Sequence, residues 1–175
     1  MSTTSQEMGI LSQLLNEQFP GTVQDSHKHR GDETVLIEHN QIFPVCQFLR
    51  DDERCKMEMM VDLTAVDYLN EQPRFEVVYH LKSLSLNHRL RLKVRVPEDS
   101  CEIDSIHSLW RSVDWYEREC YDMYGIIFKN HPNLKRILMY PEFEGFPLRK
   151  DYPTDKEQPL VEMRVVHERH DYKRS

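Results

Sequence analysis

Apolar and polar residues alternate along three stretches in the middle of the chain. Met59, Val61, Leu63 and Ala65 form the first set, Phe75, Val77, Tyr79 and Leu81 the second, and Leu90, Leu92, Val94 and Val96 the third. A period of two puts each set on one face of a strand, one side buried and the other wet. Ser85 to Asn87 predicts a hairpin loop between the last two strands. Upstream, Ile10, Leu11, Leu14 and Leu15 recur at helical spacing, behind a capping box of Thr4 and Glu7 and before a stop at Pro20-Gly21. Residues 22–29 and 34–39 predict two strands around a Gly31-Asp32 turn, and Phe43 to Leu49 a short helix. Helical signals on both sides of the strand cluster predict an α+β fold, with helices packed against an antiparallel or mixed sheet.

A further helix is predicted over Asp114 to Tyr124, capped by Asp114, with Glu117 three residues later and Gly125 as the left-handed stop. At about 100° per residue, Tyr116, Cys120, Met123 and Tyr124 share an apolar sector. Glu119 falls inside the edge of that sector, while Arg118 and Asp122 are four apart and can pair. A carboxylate in such a place either raises its pKa or finds a cation. Arg136, Arg149 and Lys150 are available, with Asp151 beside them. No nucleophile or metal constellation accompanies Glu119, so the sequence favours a structural ion pair that pins the following loop over a proton-handling acid. Throughout Trp115 to Pro153 charge is packed among aromatic residues, which a core accepts only where each charge has a partner.

The 175 residues suggest one domain, 1–153, followed by an extended tail, 154–175. The tail has too little apolar surface to fold alone, and Leu160, Val161, Met163 and Val165 are its candidate contacts with a partner. A net charge of −7 argues against nucleic acid as a partner. The row Arg89, Arg91, Lys93 and Arg95 reads as a solvated sheet face paired with Glu76 and other acids. The four cysteines lack disulfide or zinc spacing and are expected to be reduced. The five glycines form no dinucleotide or phosphate loop, and His27 with His29 lacks a third metal ligand. Met1 to Phe19 carries no export or transit pattern, and no apolar run approaches the ~18 residues of a membrane span. The chain is expected to be soluble and to reach a membrane only through partners.

Trp115-Tyr116-Glu117-Arg118-Glu119 with Tyr121-Asp122-Met123-Tyr124-Gly125-Ile126 and Phe128 resembles the signature of one family of peripheral-arm subunits. It is the C-type, or 30 kDa, subunit family of proton-pumping NADH–quinone oxidoreductase, respiratory complex I. His131-Pro132, Leu134, Arg136-Ile137-Leu138, Gly145 and Pro147-Leu148-Arg149-Lys150-Asp151-Tyr152-Pro153 continue the pattern, and Val77-Val78-Tyr79-His80-Leu81 precedes it. Phe146 stands where many members have His, and Cys120 where a small or β-branched residue is commoner. The resemblance implies a non-catalytic scaffold that holds no flavin, iron–sulfur cluster or quinone of its own, the FMN and clusters belonging to partner subunits. It implies packing on the larger D-type subunit, which helps form the quinone site, near the B-type and I-type subunits, on the cytoplasmic face of the cell membrane. Two rival readings are an equivalent subunit of a membrane-bound hydrogenase or ferredoxin-dependent complex, and a free-standing enzyme using Glu119 or Asp122. A third is an unrelated adaptor whose tail augments a sheet edge.

Overall fold

A computed structural model describes residues 9–160. Helix α1 (Ile10–Gln18) is followed by the hairpin β1 (Val23–His29) and β2 (Asp32–Ile37), then helix α2 (Ile42–Asp51). Strands β3 (Met59–Asp67), β4 (Phe75–Lys82) and β5 (Arg89–Val96) come next, then β6 (Glu102–Asp104), helix α3 (Val113–Tyr124) and β7 (Ile127–Lys129). The α+β expectation holds: five strands form one mixed sheet in the order β1-β2-β5-β4-β3, in which only β2 and β5 run parallel. The short strands β6 and β7 pair in parallel as a second sheet. At three residues each they are too short for alternation to reveal them in the sequence.

The inward side chains Phe75, Val77, Tyr79 and Leu81 of β4 and Leu90, Leu92, Val94 and Val96 of β5 meet Leu11 and Leu15 of α1, Val45, Cys46 and Leu49 of α2, and Val113 and Cys120 of α3 in one core. The β1–β2 turn uses Arg30 at φ 51 and Gly31 at φ 95, the left-handed pair a tight hairpin requires. Helix α1 has no cap of its own. Glu33 of β2 accepts from the amides of Leu11 and Ser12, at 3.1 Å each, and so supplies the helix N-terminus with a carboxylate. Gly9 lies so close to that carboxylate that an added Cβ would come within 1.8 Å of it. The Thr4–Glu7 capping box lies outside the described residues.

Strand β3 corrects the alternation. Its pairing with β4 shifts between Met60 and Asp62, so Met60, Leu63 and Ala65 face the core while Met59 and Val61 are 45% and 42% exposed. A bulge inserts one residue and flips every side chain before it to the other face.

Candidate functional site

The C-terminal end of α3 and the loops after it hold two buried charge networks. Asp122 is fully buried and sits where the segment after β7 crosses the helix. Its Oδ2 accepts from the amides of Ile137, Leu138 and Met139 at 2.8–2.9 Å, and its Oδ1 from Arg136 at 2.8 Å. Burial opposes ionisation, but the bonds from Met139, Leu138, Arg136 and Ile137 outweigh it and hold this carboxyl below its usual range. The second network is centred on Arg74, at the start of β4. Its guanidinium makes a two-point bond to Asp67, both contacts 2.8 Å, with side chains 3% and 1% exposed. Arg74 also donates to Asp151 at 2.8 and 3.0 Å and to Glu98 at 2.6 Å. The Lys150 amide donates to Asp67 at 2.8 Å, so two residues far down the chain are tied to the β3–β4 hairpin.

Between these networks lies Phe146. The guanidinium carbons of Arg149 and Arg136 stand 4.8 and 5.3 Å from its ring centre, a cation–π pairing with both. Arg149 donates to the Tyr124 carbonyl at 2.6 Å, and the Leu148 amide to that of Met123 at 3.1 Å. Gly125 stops α3 at φ 77, as predicted, and a Cβ there would approach Phe146 to 2.5 Å.

Three side chains depart from the sequence reading. Glu119 is exposed and forms no ion pair among the described residues, so it does not pin the loop. The helix starts at Val113, not at a cap on Asp114, and its buried positions are Val113, Glu117, Cys120, Asp122 and Met123. Arg118 does not pair with Asp122. It stacks on Trp115, 5.3 Å from ring centre to guanidinium carbon, and donates to the carbonyls of Lys135 and Arg136. Asp122 is taken up instead by Arg136 and the amides of Ile137, Leu138 and Met139. Lys150 enters the network through its backbone amide, while its ammonium makes no ion pair among the described residues and acts on Asp67 only as a nearby charge.

Glu117 is the other buried acid of α3, facing the core. It accepts from Ser105 Oγ at 2.6 Å and the Ile106 amide at 2.8 Å. His131, with its side chain fully buried, brings Nε2 to 3.1 Å from Asp114 and 3.8 Å from Glu117. Burial pushes Glu117 up to about 7, against the bonds from Ser105 and Ile106. Burial likewise lowers His131, although Asp114 opposes it. Because the folded state keeps the Glu117 proton above the pH at which the unfolded chain releases it, stability falls as pH rises from about 4.5 to about 7. Glu117→Gln can still accept from the Ile106 amide and donate to Ser105 Oγ, and it removes the titration. Its stability should therefore gain on the wild type by on the order of 2–3 kcal/mol over that window, as urea denaturation at pH 5 and pH 8 would measure. Parallel pH profiles would exclude the buried acid.

The profile of the family described as respiratory-chain NADH dehydrogenase, 30 kDa subunit, matches residues 35–158, which include both networks. This chain belongs to that 30 kDa subunit family. A relative from Hyphomonas neptunium, named as the C subunit of NADH-quinone oxidoreductase, is 42% identical over 168 residues, covering 94% of this chain and 83% of its own. Its namesake from Citrifermentans bemidjiense is 51% identical over 139 residues, 79% of this chain and 85% of its own. A solved structure of Nqo5, a trypsin-resistant fragment (1-134), aligns with a TM-score of 0.60 at 27% identity, over 71% of this chain and 98% of that one. A chain of the membrane-bound sulfane sulfur reductase, an archaeal respiratory membrane complex, aligns at 0.70 over 81% of this chain and 83% of its own; at 23% identity it speaks for the fold alone.

Within the 30 kDa family fold, Asp67, Arg74, Ser105 and His131 are the functional-looking residues that sequence reasoning passed over. Asp67 had a signal in extending the inward parity of Leu63 and Ala65, and His131 in belonging to the family pattern. Among the described residues no helix is long and apolar enough to cross a membrane, and no three His, Cys, Asp or Glu side chains converge for a metal. Of the two acids in the enzyme reading, Glu119 is exposed and forms no ion pair among the described residues, and Asp122 is held by four donors.

Proposed function

We propose that this chain is a structural and assembly subunit of the peripheral arm of a proton-translocating NADH–quinone oxidoreductase. In this reading it packs on the D-type quinone-site subunit, with the B-type and I-type subunits nearby, at the cytoplasmic face of the membrane. It holds no redox group, and FMN and iron–sulfur clusters sit in its partners. One observation carries this reading. The Asp122–Arg136 and Arg74–Asp67–Asp151 networks fasten the segment after β7 to the domain. That leaves a fixed surface on which Trp115, Leu138 and Leu148 stand exposed. Exposed apolar side chains held on a rigid support suit a protein partner. The NADH-linked reading is favoured over a hydrogenase or ferredoxin-linked complex because relatives at 42% and 51% identity carry that name.

The proposed tail contacts begin at Leu160; Val161, Met163 and Val165 lie outside the described residues. Deleting residues 160–175 should leave the melting temperature of the isolated chain within about 2 °C of the full chain, since Leu160 is fully exposed. Incorporation into the complex, read by co-purification with a tagged quinone-site subunit, should fall several-fold. Normal incorporation of the truncated chain would overturn the tail's role.

A further inference from the structure

We propose that one end of the large sheet is a docking groove for an acidic segment of a neighbouring protein, seated by an apolar anchor. The strand register lines up His29 of β1, Asp32 of β2, Arg89 of β5, Lys82 of β4 and Met59 of β3 across this end. The chain is acidic as a whole, at −7. Yet Lys28, Arg30, Lys82, Arg89 and Arg91, all at this end, form no ion pair among the described residues. Lys93 and Arg95, further along the same face of β5, do pair with Glu76, at 2.8 and 3.5 Å. Two nearby carboxylates are already used: Glu33 by α1, and Glu58 by the amides and hydroxyls of the β4–β5 hairpin. Asp32 and Asp62 remain on the groove walls.

The apolar side chains point to the same place independently of the charges. The β3 bulge turns Met59 and Val61 outward into an open groove of about 450 Å³, rimmed by Lys82, Arg89 and Arg91. Leu84 and Leu86 stand exposed on the adjoining hairpin. Ile10, also exposed, borders a second groove that shares Asp32 and Arg89 with the first. Met59 and Val61 thus share one groove with Lys82, Arg89 and Arg91, and Ile10, Leu84 and Leu86 stand exposed nearby. An anionic segment with one or two apolar side chains satisfies both, the charges steering it and the groove seating it. A membrane surface fits less well: the site is concave, and Asp32 and Asp62 would face a dense sheet of lipid phosphates, whereas a peptide can offer them amides.

This inference rests on the chain being a subunit of a larger assembly. A photo-reactive phenylalanine analogue placed at Met59 or Val61 in the intact membrane complex, irradiated and mapped by mass spectrometry, tests it. The expected result is one adduct, on an acidic stretch of a neighbouring subunit. That adduct should fall at least tenfold in the Lys82→Glu/Arg89→Glu variant, whose purified chain should melt like the parent because both side chains are solvent-facing. If the labelled chain assembles normally but gives no adduct, an adduct to lipid, or one that survives charge reversal, the groove is not such a site. If the chain never enters a complex, it is the assembly reading that fails.

Discussion

Arg74→Ala is expected to cost about 3–5 kcal/mol of folding stability, the range for removing one partner of a buried ion pair. The loss comes chiefly from Asp67, which would keep its charge out of water with only the Lys150 amide left as a partner. Asp151 and Glu98, 49% and 42% exposed, can turn to solvent and add little. For a chain of this size the change corresponds to a fall in melting temperature of roughly 10 °C. Arg74→Lys keeps the charge but loses the fork that meets two carboxylates at once, so it should fall between. Urea denaturation gives the value directly. A loss below about 1 kcal/mol would show the pair to be hydrated in solution.

Asp122→Ala should be nearly as costly, about 3 kcal/mol or more, because it strands three amides and the Arg136 guanidinium at a covered site. The damage should be local. Residues 136–139 lose their anchor to that face of α3, and Lys135 and Arg136 become available to trypsin. Proteolysis there should outpace cleavage elsewhere by at least tenfold, with the sheet's amide-exchange protection retained. Protonation should mimic the mutation. Since the folded-state pKa lies below the unfolded one, the stabilisation is complete above about pH 4 and drains away as pH falls through the native value. An alanine variant as resistant to trypsin as the parent would count against the latch.

These two networks show where sequence reading succeeds and where it fails. The alternation in β4 and β5 was legible because every inward position is apolar and no bulge interrupts them. In β3 one inserted residue reversed the parity, and nothing in the composition of Met59 to Asp62 announces it. The charged stretch was recognisable as a network, yet its members were mismatched. With Val113 included in the helix as a core-facing residue, Glu117 lies about 40° from it, whereas Glu119 lies about 120° away on the other side. Asp122, about 180° from Val113, could not be read as buried at all, because the cover over that face comes from a loop without periodicity. The Arg74–Asp67 pair faces across a hairpin and is completed by a residue 77 positions downstream. Local pattern carries no information at that separation.

That separation has a consequence for how the protein is made. Synthesis delivers the sheet, both faces of α3 and Arg74 well before Asp151 leaves the ribosome. A nascent chain arrested in between would hold a nearly finished fold whose buried Asp67 lacks the Lys150 amide, and whose Phe146 clamp has no Arg149. Completion is thereby coupled to the arrival of the final stretch. A prematurely ended copy should be marked by the looseness of its own closing staple, and become prey for cellular proteases before it could occupy a place meant for an intact one.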